Sequence, residues 1–334
     1  MIPTGTLSAS LLTTNKQVIP NLGRRNILIN GAFQNWQRGT SFNSNVYGSD
    51  RWKFYAPGSH AYSRSTDTPD YGLAAQPTGF EFSASLGGSG DATGLTQFVE
   101  SKNSKHIPTS GTTKVILSFY LKHTTNSGTA KITSSIGTLD SADNSGASTT
   151  RSTQNHNTTT GWVRYTHETT GATLTSAAGN GVQVTIKHNG SGTTAFLLTG
   201  CQLEISESVT PFEHRFVGEE LTLCQRYFYK AVSGINKQFG VGTYYATSLI
   251  TSTLTFPTTM RTPPTITVGT GTNYYVAYGN GQGDAFDTWD NTPRGNENYI
   301  ALDVTHDGAS GTAGHGCTLA TNHANAYIHC DAEL

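Results

Sequence analysis

The chain has 334 residues, of which 13% are charged, and its formal net charge at pH 7 is −1. This balance gives no basic footprint for nucleic acid or for an anionic membrane surface, so we expect neither nucleic-acid binding nor membrane insertion. Gly, Ser, Thr and Asn are abundant, whereas Met, Lys and Glu are scarce. Such a composition favours short strands joined by polar turns, and the expected fold class is all-β.

Targeting and redox signals are weak. Residues 1–20 lack a basic n-region and a continuous apolar segment, so we expect a soluble chain assembled in the cytoplasm. The four cysteines include no C-x-x-C pair and are too few for a disulfide framework. They are expected to be reduced and mostly buried: Cys201, Cys224, Cys317 and Cys330.

Residues 1–25 are predicted to form an N-terminal arm. The segment is rich in Ser and Thr, with scattered apolar residues and two prolines, and it has no core of its own. Two interpretations stay open, because terminal segments are loose unless something holds them. The arm is either a disordered tail or an attachment segment for another protein.

Residues 26–215 are predicted to form the first β domain. Apolar and polar side chains alternate through 115–121 and 182–187, as in half-buried antiparallel strands. Shorter candidates at 80–82 and 95–99 are separated by turn residues. This pattern is typical of a β-sandwich.

Residues 195–205 are predicted to be the last strand of that domain. Alternation divides the strand into a buried apolar side and a solvent-exposed polar side. The apolar side would carry Leu197, Thr199, Cys201, Leu203 and Ile205, and the polar side Gln202, Glu204 and Ser206. Pro211 should lie beyond the end of the strand, because it cannot donate to the ladder.

A connecting helix is predicted over 216–231. Leu221, Cys224 and Phe228 would form one apolar stripe, with Tyr227 beside them. A helix of this length is marginal alone in water, so the stripe must pack on another surface. That surface belongs either to this chain or to a neighbouring copy, and these four residues are our candidate oligomer contacts.

Residues 232–334 are predicted to form a second, smaller β-sandwich-like domain. Its strand candidates are 254–256, 266–268 and 300–304. In a final strand, Ile328 and Cys330 should share the buried side.

Several segments resemble one protein family. They are NILINGAFQNWQRGTSF, YGSDRW, CQLE, TPFEHR, ELTLCQRYFYK and DAEL. Together they are similar to tail-fibre and receptor-binding proteins of tailed bacteriophages and prophages. The resemblance implies a homotrimeric virion component that attaches to the tail, the baseplate or another virion protein through its N-terminal arm.

A second resemblance covers the first domain. TGLTQFVE, KVILSFYLK, GWVRYTHET and FLLTGCQLE follow one another as in the jelly-roll carbohydrate-binding modules. It implies a jelly-roll fold for 26–215 and a sugar-binding ancestry.

Carboxylate chemistry is not expected to be catalytic. Glycoside hydrolysis needs two carboxylates across a scissile bond, and the few candidates in the first domain are Asp140, Asp143 and Glu168. In the second domain, the run GDAFDTWDN places aspartates three residues apart, unlike the alternate-residue ligands of an EF-hand loop. A polar turn is therefore favoured over a calcium site.

Soft metal ligands are densest near the C-terminal end. Because adjacent strand residues point to opposite faces, His329 and Cys330 cannot easily share one metal. Three further soft ligands precede them: His315, Cys317 and His323. No metal site, cofactor or enzymatic activity is predicted.

Recognition chemistry is indicated for 272–299. Aromatic residues alternate there with Asn, Gly and Asp, which is the composition of binding loops, and aromatic faces with polar neighbours suit sugars. The candidate ligand-binding residues are Tyr274, Tyr275, Tyr278, Trp289, Arg294 and Tyr299. The alternative is that half of these aromatics belong to the core of a small domain.

The sequence therefore predicts a phage tail-fibre or receptor-binding protein that contacts a host-surface glycan or protein through its second domain. Two alternatives stay open. One is a structural head-decoration, baseplate or tail component without a receptor role, and the other is a polysaccharide depolymerase.

Overall fold

The computed structural model describes residues 24–43, 45–55, 60–69, 80–89, 93–126, 131–189, 193–305 and 311–334. Almost all of the predicted N-terminal arm, 1–23, lies outside these ranges. Within them, no helix is both long and apolar enough to cross a bilayer. The chain is all-β, as predicted, with two antiparallel β domains and a short helix between them.

The first domain is a jelly-roll β-sandwich of eleven strands. A six-stranded sheet has the order β1-β3-β4-β11-β6-β9, and a five-stranded sheet has the order β2-β5-β10-β7-β8. The strands are β1 (Ser41–Phe42), β2 (Lys53–Tyr55), β3 (His60–Ser65), β4 (Ser83–Ser89), β5 (Gly94–Glu100), β6 (Lys114–Asn126), β7 (Lys131–Leu139), β8 (Ser148–Asn157), β9 (Val163–Thr170), β10 (Gly181–His188) and β11 (Thr193–Ile205). Three single-turn helices connect them: α1 (Ser101–Ser104), α2 (Gly171–Leu174) and a 3₁₀ helix (Ser176–Asn180).

The apolar sides of the two sheets meet in one core. Leu117 and Phe119 of β6 pack there with Val184 and Ile186 of β10, as the alternation predicts. Trp52 and Tyr62 are also fully buried in this core. Trp52 and Tyr62 therefore stabilise the sandwich and are not available to a ligand at the surface.

Strand β11 departs from the predicted alternation. Its pairing with β6 shifts between Thr199 and Gln202, where Gly200 has a φ of +62°. The bulge exchanges the two faces of the strand, so Phe196 and Leu198 enter the core before it, and Cys201 and Leu203 enter after it. The predicted placement of Leu197 and Thr199 on the Cys201 side was wrong.

The other side of β11 is not exposed to solvent either. Gln202 and Glu204 are buried, and the segment that follows the strand covers them. The carboxylate of Glu204 accepts hydrogen bonds from the backbone N–H and the hydroxyl of Thr210, at 2.9 and 2.6 Å. The sequence predicts exposure here because alternation cannot show that a later segment folds back over the strand.

The second domain also has two sheets. A three-stranded sheet has the order β12-β21-β15, and a seven-stranded sheet has the order β17-β16-β20-β13-β14-β19-β18. The strands are β12 (Phe228–Ser233), β13 (Gln238–Ala246), β14 (Leu249–Thr255), β15 (Thr265–Val268), β16 (Tyr275–Gly279), β17 (Gln282–Phe286), β18 (Asp290–Gly295), β19 (Tyr299–Thr305), β20 (Gly316–Thr321) and β21 (Tyr327–Asp331). The core between the sheets includes Leu254, Ile300, Leu302, Ile328 and Cys330, which confirms the predicted inward positions.

The connecting helix is shorter than predicted. Helix α3 (Val217–Gln225) ends before Tyr227, and Phe228 begins β12, where it pairs with Asp331. The aromatic run after Arg226 favours a strand, and pairing with β21 satisfies its backbone. The helical positions predicted for Tyr227 and Phe228 were therefore wrong.

The apolar stripe of the helix is covered by this chain itself. Cys224 and Tyr227 are buried in a small cluster with Ile29, and Leu223 and Leu334 pack against it. Leu221 is half-buried. The apolar stripe therefore packs on this chain, and it gives no reason to expect an oligomer contact through the helix.

The two domains meet in a charged, buried junction. The guanidinium of Arg51 pairs with the carboxylate of Glu333 and lies 3.5 Å above the ring of Tyr227. Arg226 donates two hydrogen bonds to the carboxylate of Glu100, both at 3.1 Å. We call this set of contacts the junction.

Candidate functional site

The side of the seven-stranded sheet that faces away from the core is the candidate site. We call it the outer sheet face, and it is defined by Val241, Thr243, Tyr245, Thr251, Thr253, Tyr278, Arg294, Tyr299, Ala301, Asp303 and Thr318. Alternation explains it, because the residues between these positions, such as Tyr244, Ile250 and Leu302, point into the core.

Strand register arranges one side chain from each strand in a transverse row. Tyr278 pairs with Gly283 on β17 and with Thr318 on β20, and Thr318 pairs with Val241 on β13. Directly opposite residues of antiparallel strands share a face.

The row continues across the rest of the sheet. Gly242 pairs with Ser252, so Val241 and Thr253 occupy neighbouring positions on β13 and β14. Thr253 then pairs with Ala301 on β19, and Ala301 pairs with Arg294 on β18. Across the sheet, the order is therefore Gly, Tyr, Thr, Val, Thr, Ala and Arg.

Large apolar side chains stand exposed along this face. The exposed fractions are 72% for Val241, 74% for Tyr245, 52% for Tyr278 and 41% for Tyr299. Two shallow depressions flank Val241. One of about 860 Å³ reaches Tyr278 and is lined by several glycines, and one of about 320 Å³ is lined by Thr243, Thr251 and Thr253.

A tight hairpin presents Tyr278. Gly279 pairs with Gln282, which leaves a two-residue turn at Asn280 and Gly281. Both turn residues have positive φ, 51° and 74°, as this turn type requires. A Cβ at Gly283 would lie 3.0 Å from the ring of Tyr278, so the ring lies over the glycine and leaves its other side open.

Charge is confined to one end of the face. Strands β13, β14, β16 and β20 contain no charged residue. At the β18–β19 end, the exposed guanidinium of Arg294 pairs with the carboxylate of Asp303. Asp290, opposite Asp303, accepts a hydrogen bond from the backbone N–H of Thr305 at 2.7 Å. The central part of the face is uncharged.

The six predicted ligand-binding residues divide into two groups. Tyr278, Arg294 and Tyr299 all lie on the outer sheet face, Tyr278 towards one end of the sheet and the other two towards the opposite end. Tyr275 and Trp289 are buried and pack on Phe286 in the core, so the prediction that they contact a ligand at the surface was wrong. They belong to the core of the small domain, as the alternative interpretation of these aromatic residues states. The ring of Tyr274 is half-buried and stacks on His323, with centroids 4.3 Å apart.

The centre of the face was not predicted from the sequence. Its residues lie outside the segment whose dense aromatic residues predicted the binding loops: Val241, Tyr245, Thr251, Thr253 and Thr318. A signal was present in the period-two pattern of β13 and β14, where these positions alternate with inward residues.

The candidate carboxylates of the first domain have structural partners. Asp143 accepts hydrogen bonds from the backbone N–H and hydroxyl of Ser101, at 2.6 and 3.1 Å. Asp140 accepts one from the hydroxyl of Thr149, and Glu168 pairs with Lys114. They hold turns and strands in place.

The aspartates of the second domain also fix local structure. Asp284 accepts a hydrogen bond from the hydroxyl of Tyr244 at 2.5 Å, and Asp287 accepts one from the backbone N–H of Asn273 at 2.8 Å. In the part of the chain that the structure describes, no three His, Cys, Asp or Glu side chains are placed to hold a metal ion. All four cysteines are free and buried, as predicted.

A buried histidine network lies between the sheets of the first domain. The hydroxyl of Ser134 shares hydrogen bonds with His156 Nε2 at 2.7 Å and with His167 Nδ1 at 2.9 Å. His167 Nε2 bonds the hydroxyl of Ser152 at 2.8 Å. Burial lowers the pKa of both imidazoles to about 4.

Comparisons with known proteins give similarity of fold. No family model and no curated protein matches the sequence. Among solved structures, the enzymatically active domain of tailspike protein 4 of bacteriophage CBA120 is 15% identical over 54% of this chain and 21% of that chain, with a TM-score of 0.33. This chain thus spans about a fifth of that structure.

Two carbohydrate-binding modules are also similar. The CBM22-1 xylan-binding domain of Paenibacillus barcinonensis Xyn10C is 14% identical over 51% of this chain and 94% of that chain, with a TM-score of 0.32. TmCBM61, solved in complex with β-1,4-galactotriose, is 13% identical over 55% of this chain and 99% of that chain, with a TM-score of 0.31. At these identities the likeness concerns the fold alone.

Proposed function

We propose that this chain is a non-enzymatic recognition protein that binds an uncharged surface glycan through the outer sheet face. The observation that carries the proposal is the transverse row, in which exposed apolar side chains alternate with threonine hydroxyls. Aromatic and aliphatic groups pack on the C–H faces of sugars, and hydroxyls exchange hydrogen bonds with theirs.

The composition of the face supports a neutral ligand. The exposed residues around both depressions are Tyr, Val, Thr, Gly, Asn and Gln, all of them uncharged. The one exposed cation of the row, Arg294, is already neutralised by Asp303. Among the residues that the structure describes, no free positive charge lies beside Tyr278 or Val241 to attract a polyanionic glycan.

The biological setting that we propose is a phage tail fibre that contacts the host surface. The sequence segments that resemble tail-fibre proteins support this setting, and the same resemblance supports a homotrimer attached to the virion through its N-terminal end. The structural engagement of Asp140, Asp143 and Glu168 supports binding without hydrolysis.

An array of bacterial surface polysaccharides, probed with the full-length chain, tests the proposal. We expect binding to neutral glycans, and we expect Tyr278→Ala and Tyr299→Ala to weaken it. Tyr55→Ala is the matched control, because Tyr55 is similarly exposed but lies on the first domain. Binding that is lost in Tyr55→Ala and kept in the other two variants would move the site to the jelly roll.

A further inference from the structure

We infer that the outer sheet face binds its glycan as an extended chain that runs across the strands, with about one sugar ring per strand. This inference rests on the proposed function and adds the form of the ligand. It follows from the spacing of the transverse row and from the order of its side chains.

The spacing comes from the sheet itself. Neighbouring strands lie about 4.8 Å apart, so each step along the row advances by that distance. Tyr278 on β16 and Ala301 on β19 are separated by four such steps in the strand order, which is about 19 Å. One step is close to the length of a pyranose ring in an extended chain. The row can therefore contact four to five consecutive rings.

The order of side chains alternates in the same direction. Tyr278 and Val241 are apolar, and Thr318 and Thr253, which follow each of them, carry hydroxyls. In an extended chain of β-1,4-linked rings, each ring is turned over relative to the one before it, so its pattern of C–H faces and hydroxyl edges likewise repeats every two rings. A compact or strongly branched glycan cannot match a repeat of this kind.

The relief of the face marks where rings can lie. Glycines 242, 279, 283 and 316 leave the larger depression between Tyr278 and Val241 open. The smaller depression continues on the other side of Val241. At the far end, Tyr299 lies two residues from Ala301 on the same face of β19 and adds a second aromatic contact.

Isothermal titration with neutral oligosaccharides of increasing length tests the inference. Cello-, xylo- and manno-oligosaccharides, from dimers to hexamers, would be titrated into the full-length chain. For at least one series, we expect affinity to rise with each added unit up to four or five units and then to level off.

Variants locate the two ends of the bound chain. Tyr278→Ala should lower the affinity for the longest oligosaccharide by roughly tenfold, on the scale of one lost aromatic contact. Tyr299→Ala should lower it only for oligosaccharides long enough to reach β19. Thr318→Val, which keeps the shape and removes the hydroxyl, should weaken binding at every length, and Tyr55→Ala should leave it unchanged.

Other results would overturn the inference. If the affinity reaches its maximum with one or two sugar units but still depends on Tyr278, the face binds the end of a glycan. That result would contradict only the inference of an extended bound chain. If no oligosaccharide and no arrayed polysaccharide binds, the proposed function fails as well. If Val241→Asp lowers the molecular mass of an oligomer in light scattering, the face is an interface between copies and both proposals fall.

Discussion

Arg51 and Glu333 form an ion pair across 282 positions of the sequence, inside the junction between the two domains. The side chain of Arg51 is 1% exposed, and it also donates a hydrogen bond to the backbone carbonyl of Phe98. Nearby, the hydroxyl of Tyr47 donates one to the carbonyl of Leu334 at 2.7 Å. Residues that are far apart in the sequence therefore meet at this point and hold the two domains together.

Replacing Arg51 by Met should strongly destabilise the protein. Removing one partner of a buried pair leaves the other charge uncompensated, and we expect a loss of about 3 kcal/mol in the free energy of unfolding. Chemical denaturation followed by tryptophan fluorescence measures it. Lys114→Met is the control, because Lys114 pairs with Glu168 on the surface and its loss should leave the midpoint unchanged. Equal midpoints for both variants would contradict the role of the junction.

Stability should decrease as the pH falls from neutrality towards 4. His156 and His167 have a pKa of about 4 in the folded protein, against about 6.5 for a histidine in an unfolded chain. Between these values the unfolded state binds more protons, so unfolding becomes more favourable as the pH falls. The stability that these two neutral histidines allow is fully present above pH 6.5 and decreases progressively as the pH falls below that value.

Thermal unfolding across that pH range, in the wild type and in His167→Gln, measures the effect. The variant should be less stable at neutral pH but should lose less of its stability on acidification. A wild type whose midpoint does not change between pH 7 and pH 5 would show that the network does not titrate as the structure indicates.

Gly281→Ala should destabilise the hairpin that presents Tyr278. Gly281 has a φ of +74° and no atom within 4 Å of an added Cβ, so only backbone strain opposes the change. The expected cost is about 1 kcal/mol. Gly161 is the matched control, since it also has no neighbour within 4 Å but no positive φ, and alanine should be neutral or slightly stabilising there. Denaturation midpoints that shift equally in both variants would exclude strain as the cause.

Much of the fold could be predicted from local alternation. The inward residues of β6, β10, β19 and β21 follow from period-two patterns, because each strand has one face in a core. The all-β class follows from composition and turn residues. The burial of Glu204 could not be predicted in this way, since it depends on Thr210 and the segment that folds back over the strand.

The candidate site could be predicted only in part. Tyr278 and Tyr299 were found because they are aromatic, but Tyr275 has the same chemistry and lies in the core. Tyr275 and Tyr278 are three residues apart on β16, and an odd number of steps places them on opposite faces. Register with neighbouring strands, which a single sequence does not contain, places Thr318 and Val241 beside Tyr278.

The bulge at Gly200 has a consequence for how this chain can vary in length. If all residues of β11 were kept but the bulge were lost, unbroken alternation would turn Gln202 and Glu204 towards the main core in place of Cys201 and Leu203. A carboxylate would then lie among apolar side chains without its partner Thr210. Deleting Gly200 would instead leave Cys201 and Leu203 facing the core, so relatives with the same two-sided burial should carry either the extra residue with its bulge or an unbroken strand that is one residue shorter.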